Sequence, residues 1–200
     1  MFWRKNSKNI KELELKLVNA EAEISFLKSQ LDPELAKLFF DSSVDTKGLS
    51  EKYGILLHNL LSSSIDGKWS VDIEAKYLKE YILLYTSISP SEIHYKIEVE
   101  NDNPSIEIPS LILFPLVQNA VKNGYNNMEK YPMKVKLKVR GEHLTLEVSN
   151  RVNHYLVNQA DNVTFNRFES RLFKHFAEDY ELIVNSNSNL FKVTLLVNLK

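Results

Sequence analysis

The stretch "FLKSQLDPELAKLFF", Phe26 to Phe40, contains a proline inside what otherwise reads as a long amphipathic helix. Pro33 lacks a backbone donor and its ring clashes with the carbonyl four residues back, which costs about 3 kcal/mol or more in a helix interior. A carboxylate stands on each side of it, Asp32 and Glu34. The sequence therefore predicts a bend in a helix here, and the residues before and after the bend decide the fold.

On the N-terminal side of Pro33 the apolar residues alternate at spacings of three and four, which is the a/d repeat of a helix that packs on another helix. The repeat consists of Ile10, Leu13, Leu17, Ala20, Ile24, Leu27 and Leu31, here called the seam. We interpret the seam as a coiled coil that dimerises the chain, because its stripe is narrow and no helix precedes it. The alternative is a single amphipathic helix that lies on its own domain.

On the C-terminal side of Pro33, the spacing of the apolar residues stays helical as far as Ser89. Helical spacing resumes through Leu38 and breaks over residues 41–48, where Gly48 is the clearest breaker. A second helix is predicted over residues 49–63 and a third over 71–88, with a turn at 64–70 between them. The first 89 residues are therefore predicted to be helical.

From Pro90 the pattern changes to strands and helices. Period-two alternation predicts a strand over 92–100, two strands around a turn at Gly141 and Glu142, and a closing hairpin that turns at 185–189. Helices are predicted before Gly124 and over 165–180. The fold class is therefore α+β, with a helical region over 1–89 and an α/β sandwich with a mixed sheet over 90–200.

Composition excludes several classes of protein. The 200 residues carry a formal net charge of −1 and no cysteine, so no global field attracts nucleic acid and no thiolate site or disulfide exists. No apolar run has the length of a membrane span, and the N-terminus has no apolar segment typical of a signal peptide. We expect a cytoplasmic protein, with membrane association only through a segment outside this sequence.

Two motifs add a resemblance to a known family. The segment "LKSQLDPEL" resembles the phospho-acceptor segment of LytS/YehU-type sensor histidine kinases, and "IEIPSLILFPLVQNAVKNG" resembles the N box of the same family. Between them, "SVDIEAKYLKEYILL" looks like the helix that joins the two in that family. The resemblance implies a dimeric helical bundle joined to an ATP-binding domain of the GHKL type.

The resemblance also implies roles for single residues, several of them altered here. Glu34 stands where active members have the phospho-acceptor histidine, and a carboxylate is a poorer nucleophile than a neutral imidazole. In the N box, Asn119 matches the ligand of the Mg²⁺ that bridges the phosphates and Lys122 matches a phosphate contact. Gln118 replaces the glutamate at the base position, and an amide cannot accept a proton at neutral pH. The family's histidine before the glycine is Asn123.

Further along the chain the expected nucleotide contacts are also incomplete. Asn150 matches the residue that reads the adenine amino group. The glycines that let backbone amides approach the phosphates correspond to Asn162 and Thr164, and a following asparagine corresponds to Arg167. An asparagine and a lysine one turn apart, such as Asn119 and Lys122, are also common on any solvated helix. The ordinary interpretation of these two residues therefore stays open.

From these replacements we predict a histidine-kinase-like protein of a two-component system that has lost phosphotransfer, a pseudokinase. It would act as a homodimer through its N-terminal helices, and would bind a response regulator or a partner histidine kinase. The alternative is an active sensor histidine kinase or ATPase that still binds Mg-ATP through Asn119 and Lys122. A third possibility is a structural dimerisation module without a signalling role.

Overall fold

The computed structural model describes residues 2–41, 47–154 and 162–199. Six helices are present in these ranges: α1 (Phe2–Gln30), α2 (Pro33–Asp41), α3 (Lys47–Leu61), α4 (Val71–Ile88), α5 (Phe114–Asn123) and α6 (Asn162–Phe176). The strands in the same ranges are β1 (Lys68–Ser70), β2 (Tyr95–Asn101), β3 (Glu107–Pro109), β4 (Met133–Arg140), β5 (His143–Arg151), β6 (Tyr180–Ser186) and β7 (Leu190–Asn198).

Five of the strands form a mixed sheet in the order β2-β4-β5-β7-β6. β2 runs parallel to β4, and the other neighbours are antiparallel. Along β4, buried residues alternate with lysines and an arginine that face away from the core, so one face packs against the helices and the other is open. This arrangement confirms the predicted fold class, α+β with N-terminal helices followed by a sandwich with a mixed sheet.

Two short segments form a second sheet that the sequence did not predict. β1 and β3 pair antiparallel, with Trp69 opposite Ile108. The predicted turn over 64–70 is therefore wrong at its end, because residues 68–70 are a strand. Its partner lies about forty residues further along the chain, and such a pairing leaves no local pattern.

The predicted break before the second helix is also shifted. α3 begins at Lys47, so Gly48 lies in the first turn of the helix instead of outside it. The first amides of a helix have no intrahelical partner, and a glycine costs less there than in the interior. Residues 42–46 of the predicted break lie outside the described part of the chain.

At Pro33 the chain contains two helices, which corrects the prediction of one bent helix. α1 ends at Gln30 and α2 begins at Pro33. The Asp32 carboxylate accepts hydrogen bonds from the backbone N–H of Glu34 (3.0 Å) and of Leu35 (3.3 Å). Asp32 is thus the N-cap of α2, and Pro33 occupies the first helical position, where its missing N–H costs nothing.

α1 lies along α6 of its own chain through Ala22, Ser25, Phe26 and Ser29, all of which are buried. The seam lies on a different face and its residues are exposed, for example Leu13 at 64% and Leu17 at 59%. An intramolecular partner for α1 therefore exists, contrary to our expectation. The dimer through the seam stays a prediction.

The apolar core is continuous across Pro90, since Tyr81 of α4 contacts Phe114 of α5 (ring centroids 5.9 Å apart). The division into 1–89 and 90–200 stays a prediction. Within the described ranges, no helix is both long and apolar enough to cross a membrane.

Candidate functional site

A cavity of about 420 Å³ lies between the end of α1, the α1–α2 junction, α5 and the start of α6. We call it the Lys122 cavity. It brings together several of the predicted site residues: Glu34, Gln118, Asn119, Lys122, Asn123 and Thr164. Lys28, Ser29 and Arg167 also line it. The acceptor-like segment and the N-box-like helix, far apart in sequence, therefore face the same space.

Lys122 is held by the two carboxylates that flank Pro33. Its ammonium lies 2.7 Å from Asp32 Oδ1 and 3.9 Å from Glu34 Oε2. The Asp32 side chain is only 3% exposed and that of Lys122 20%, whereas Glu34 is 63% exposed. The short pair with Asp32 is thus shielded from water, and the longer one with Glu34 lies at the surface.

Asp32 has a complete set of partners in this arrangement. Besides Lys122 and the two amides of α2, its Oδ2 accepts a hydrogen bond from the Tyr81 hydroxyl at 2.6 Å. Burial, and then the negative charge of Asp32, raise the pKa of Tyr81 well above its ordinary value, so Tyr81 stays a donor. The carboxylate therefore ties α2, α4 and α5 together at one point.

The polar residues of α5 also have internal partners. Asn123 Nδ2 donates to Asn119 Oδ1 at 2.7 Å, and Asn119 is 8% exposed. Gln118, buried at 6% exposure, donates from Nε2 to the Ser29 carbonyl of α1 at 3.4 Å. The residue at the base position thus joins α5 to α1, and the expected Mg²⁺ ligand accepts from its own helix.

Beneath the cavity, the loop that leads into α5 is fixed by a fully buried arginine. The Arg171 guanidinium donates to the carbonyls of Ser110 (2.5 Å) and Leu111 (3.1 Å) and to Ser29 Oγ (3.4 Å). It also lies over the Phe26 ring, 5.0 Å from the centroid. Burial lowers the pKa of Arg171 to about 10, and the charge of Glu74 opposes that shift.

Glu74 of α4 holds the amides of the same loop. Its two carboxylate oxygens accept from the backbone N–H of Leu111 (2.8 Å) and of Leu113 (2.9 Å). Leu111 has a φ of 63°, a left-handed conformation that is costly for leucine. Burial raises the pKa of Glu74 to about 7, against the opposing effect of the two amides and of Arg171. Glu74 and Arg171 together therefore position the N-terminus of α5.

Not all of the predicted residues meet at this cavity. Asn150, 3% exposed, lines a different cavity at the end of β5, and its Nδ2 donates to the Arg151 carbonyl at 2.9 Å. Asn162 is the first residue of α6, and its side chain lies outside the described part of the chain. Thr164 and Arg167 line the Lys122 cavity with side chains where the resembled family has glycine and asparagine.

Sequence reasoning missed four residues that shape the site. Asp32 had a usable signal, because an aspartate directly before a proline is the pattern of an N-cap followed by the first helical residue. The sequence contains no comparable signal for Tyr81, Glu74 and Arg171, since each of them lies in a helix with an ordinary amphipathic pattern. Their roles depend on contacts with segments far away in sequence.

The described side chains do not fit Mg-triphosphate in this arrangement. A phosphate at Lys122 would compete with Asp32, and a metal at Asn119 would compete with Asn123. Among the described residues, no group of three histidine, aspartate or glutamate side chains is placed to hold a metal ion. We therefore derive no step through a bound nucleotide.

Comparison with known proteins gives a relationship in sequence. The chain is 24% identical over 173 residues to the sensor histidine kinase BtsS of Escherichia coli K12 and, at the same level, to BtsS of Shigella flexneri. These matches cover 86% of this chain but 30% of the relatives, so the chain spans under a third of their length. No family model matches the chain.

The solved structures that the fold resembles include two histidine kinases. The Acinetobacter baumannii histidine kinase AdeS superposes with a TM-score of 0.48 at 7% identity, covering 76% of each chain. The histidine kinase domain of the blue-light activated kinase EL346 of Erythrobacter litoralis gives 0.45 at 16% identity, covering 90% of this chain and 96% of that one. The chain is therefore similar in sequence to a sensor histidine kinase over most of its own length.

Proposed function

We propose that the chain is a pseudokinase of the LytS/YehU type, a histidine-kinase-like protein that signals by binding partners and not by transferring phosphate. The observation that carries this proposal is the pair of Lys122 with Asp32 at 2.7 Å. The lysine expected to contact phosphate is neutralised by a carboxylate of the acceptor-like segment. An internal group thus stands where a nucleotide phosphate would bind.

The acceptor position supports the same conclusion. Glu34, at the place of the histidine, is 63% exposed and within 3.9 Å of Lys122. Attack by a carboxylate on phosphorus would give an acyl phosphate instead of a phosphohistidine, and Gln118 cannot serve as its base. The negative charge of Glu34 beside Lys122 is consistent with a permanent mimic of a phosphorylated acceptor.

Two measurements test the loss of activity. Incubation with Mg²⁺ and radiolabelled ATP should give no labelled residue in the wild-type chain, and label at a defined residue would refute the proposal. Calorimetry with Mg-ATP should give no saturable heat that is lost in Lys122→Gln. The double substitution Asp32→Asn with Glu34→Gln removes both charges that neutralise Lys122. A gain of Lys122-dependent ATP binding in this double variant would support the blocked site, whereas Lys122-dependent binding in the wild type would favour the alternative of an active kinase.

We further propose that the chain forms a homodimer through the seam. A single copy leaves Leu13, Leu17 and Leu27 more than half exposed, and burial of such side chains against a second copy is the usual solution for a heptad stripe. Sedimentation should show a dimer for the wild type and a monomer for Leu17→Glu. Leu15 is a matched control, because it is equally exposed at 59% but lies off the seam. Leu15→Glu should therefore leave the dimer intact.

The partner of the dimer is proposed to be a response regulator or a second histidine kinase of the cytoplasm. The relationship to BtsS supports this choice of partner class. A pull-down with purified receiver domains, using wild type, Glu34→Gln and Glu34→His as bait, should give binding that depends on residue 34. A purely structural dimerisation module would capture no receiver with any of the three.

A further inference from the structure

A second cavity, of about 470 Å³, lies at the end of the sheet where β4 begins and β5 ends. We call it the Tyr131 cavity. Its walls include Lys130, Tyr131, Lys134, Ser149, Asn150 and Arg151. It shares no lining residue with the Lys122 cavity, so it is a separate site. Its size is that of a pocket for a small molecule.

The charges of this cavity are all of one sign. Lys130, Lys134 and Arg151 contribute three cations, and none of the described residues that line it is acidic. Elsewhere on the open face of the sheet, cations have carboxylate partners, such as Lys192 with Glu147 at 2.9 Å. The cavity therefore concentrates positive charge in a concave space.

Tyr131 brings two of these cations together. Its ring is 45% exposed, with Lys130 Nζ at 5.4 Å and Arg151 Cζ at 5.2 Å from the centroid. Attraction between each cation and the ring offsets part of the repulsion between the two like charges. The ring thus keeps a guanidinium and an ammonium beside the same space before any ligand arrives.

The strand register adds a third observation that favours anion binding. Along the neighbouring strands β2 and β4, Glu98 stands opposite Lys136 and pairs with it at 2.9 Å. One rung closer to the cavity, Lys96 stands opposite Lys134. Like charges directly opposite each other destabilise a sheet. The pairing of opposite charges across β2 and β4 is therefore interrupted beside the cavity, where two lysines face each other. A bound anion would compensate that repulsion.

We propose that the Tyr131 cavity binds the phosphate group of a small phosphorylated ligand. Arg151 offers a planar fork of donors that matches phosphate oxygens, and Lys130 and Lys134 neutralise its charge. Tyr131 positions the cations and forms a wall for the organic part of the ligand. Such a site would let a metabolite influence the protein from a cavity separate from the Lys122 cavity.

Calorimetry of the full chain with inorganic pyrophosphate tests the proposal. We expect saturable binding in the wild type that weakens with added salt, and at least about a 5-fold loss of affinity in Lys134→Gln and in Arg151→Gln, since each removes a charged hydrogen bond. Lys136→Gln is the matched control, with the same strand, the same face and the same change of net charge. It should bind within about 2-fold of the wild type.

Two results would overturn the proposal. Absence of saturable heat in the wild type would mean that there is no site, and an equal loss in Lys136→Gln would mean diffuse attraction to a basic face. A third variant, Lys122→Gln, shows which cavity binds pyrophosphate. Its affinity for pyrophosphate must equal that of the wild type if the ligand binds in the Tyr131 cavity. A parallel arm with phosphatidylcholine vesicles, with and without added phosphatidic acid, separates a lipid headgroup from a soluble ester as the natural source of the phosphate. Preference for either one supports phosphate recognition.

Discussion

Replacing Asp32 by asparagine removes one charge from the centre of the Lys122 cavity with almost no change of shape. Asparagine is as good an N-cap as aspartate, so the amides of Glu34 and Leu35 keep their acceptor. Its amide group can donate to the Tyr81 hydroxyl, which reverses that hydrogen bond without losing it. The loss is therefore confined to the ionic part of the contact with Lys122.

The magnitude follows from the burial of the pair. Removing one partner of a buried pair costs roughly 3–5 kcal/mol, but Lys122 is 20% exposed and has Glu34 at 3.9 Å as a second carboxylate. A charged hydrogen bond in a partly wet site is worth roughly 1.5–3 kcal/mol. We expect Asp32→Asn to lower the free energy of unfolding by about 2 kcal/mol, which is a fall in Tm of roughly 4–8 °C for a chain of this size.

Urea denaturation followed by circular dichroism measures this change as a shift in midpoint at constant m-value. Glu34→Gln is the control, because Glu34 is mostly exposed and its pair with Lys122 is long. It should change the free energy of unfolding by no more than about 0.5 kcal/mol. If Asp32→Asn were as neutral as Glu34→Gln, Lys122 would not be held by Asp32 in solution, and the main support for the blocked site would be lost.

Three further outcomes are expected. Because burial raises the pKa of Glu74 to about 7 from an unfolded value near 4.3, the folded state binds more protons between these values. Unfolding free energy should therefore fall by up to about 3 kcal/mol as pH rises from about 4.5 to 7, and Glu74→Gln should flatten that slope in pH-dependent urea titrations. Gly124→Ala would bring a Cβ within 2.5 Å of the Ala120 carbonyl oxygen and 2.6 Å of Asn126; it should destabilise the chain by about 2 kcal/mol or more in the same assay. Gly54→Ala, in the middle of α3 with nothing within 4 Å, should instead raise stability by about 0.5–1 kcal/mol, and a loss there would contradict the open surface of that helix.

The elements that local pattern determines were predictable. β4 and β5 alternate strictly and turn at Gly141, whose φ of 59° suits glycine, and α5 ends at Gly124, as the sequence indicates. Gly124 is not a left-handed cap, because its φ is −75°. A glycine suits this position because Asn126 fills the space that a side chain would occupy. Sequence pattern thus located the stop, and only packing explains it.

The sequence predicted which residues line the candidate site better than it predicted the contacts between them. Glu34, Gln118, Asn119 and Lys122 do line one cavity, but no local pattern shows that Asp32 neutralises Lys122. Asp32 and Lys122 are ninety residues apart, and their pairing depends on how the α1–α2 junction lies against α5. Interactions between distant charged groups depend on a geometry that no local period encodes.

The geometry of α1 is compatible with both interpretations that the sequence left open for it. At about 100° per residue, the seam and the buried residues Ala22, Ser25, Phe26 and Ser29 point about 160° apart around the helix axis. One helix can therefore lie on α6 of its own chain and still offer the seam to a second copy. If it does both, a shift of α1 in the dimer would act on Ser29, and through Ser29 on Gln118 at the wall of the Lys122 cavity and on Arg171 beneath it. Dimerisation would then be coupled to the state of this cavity, as the proposed signalling without phosphotransfer requires.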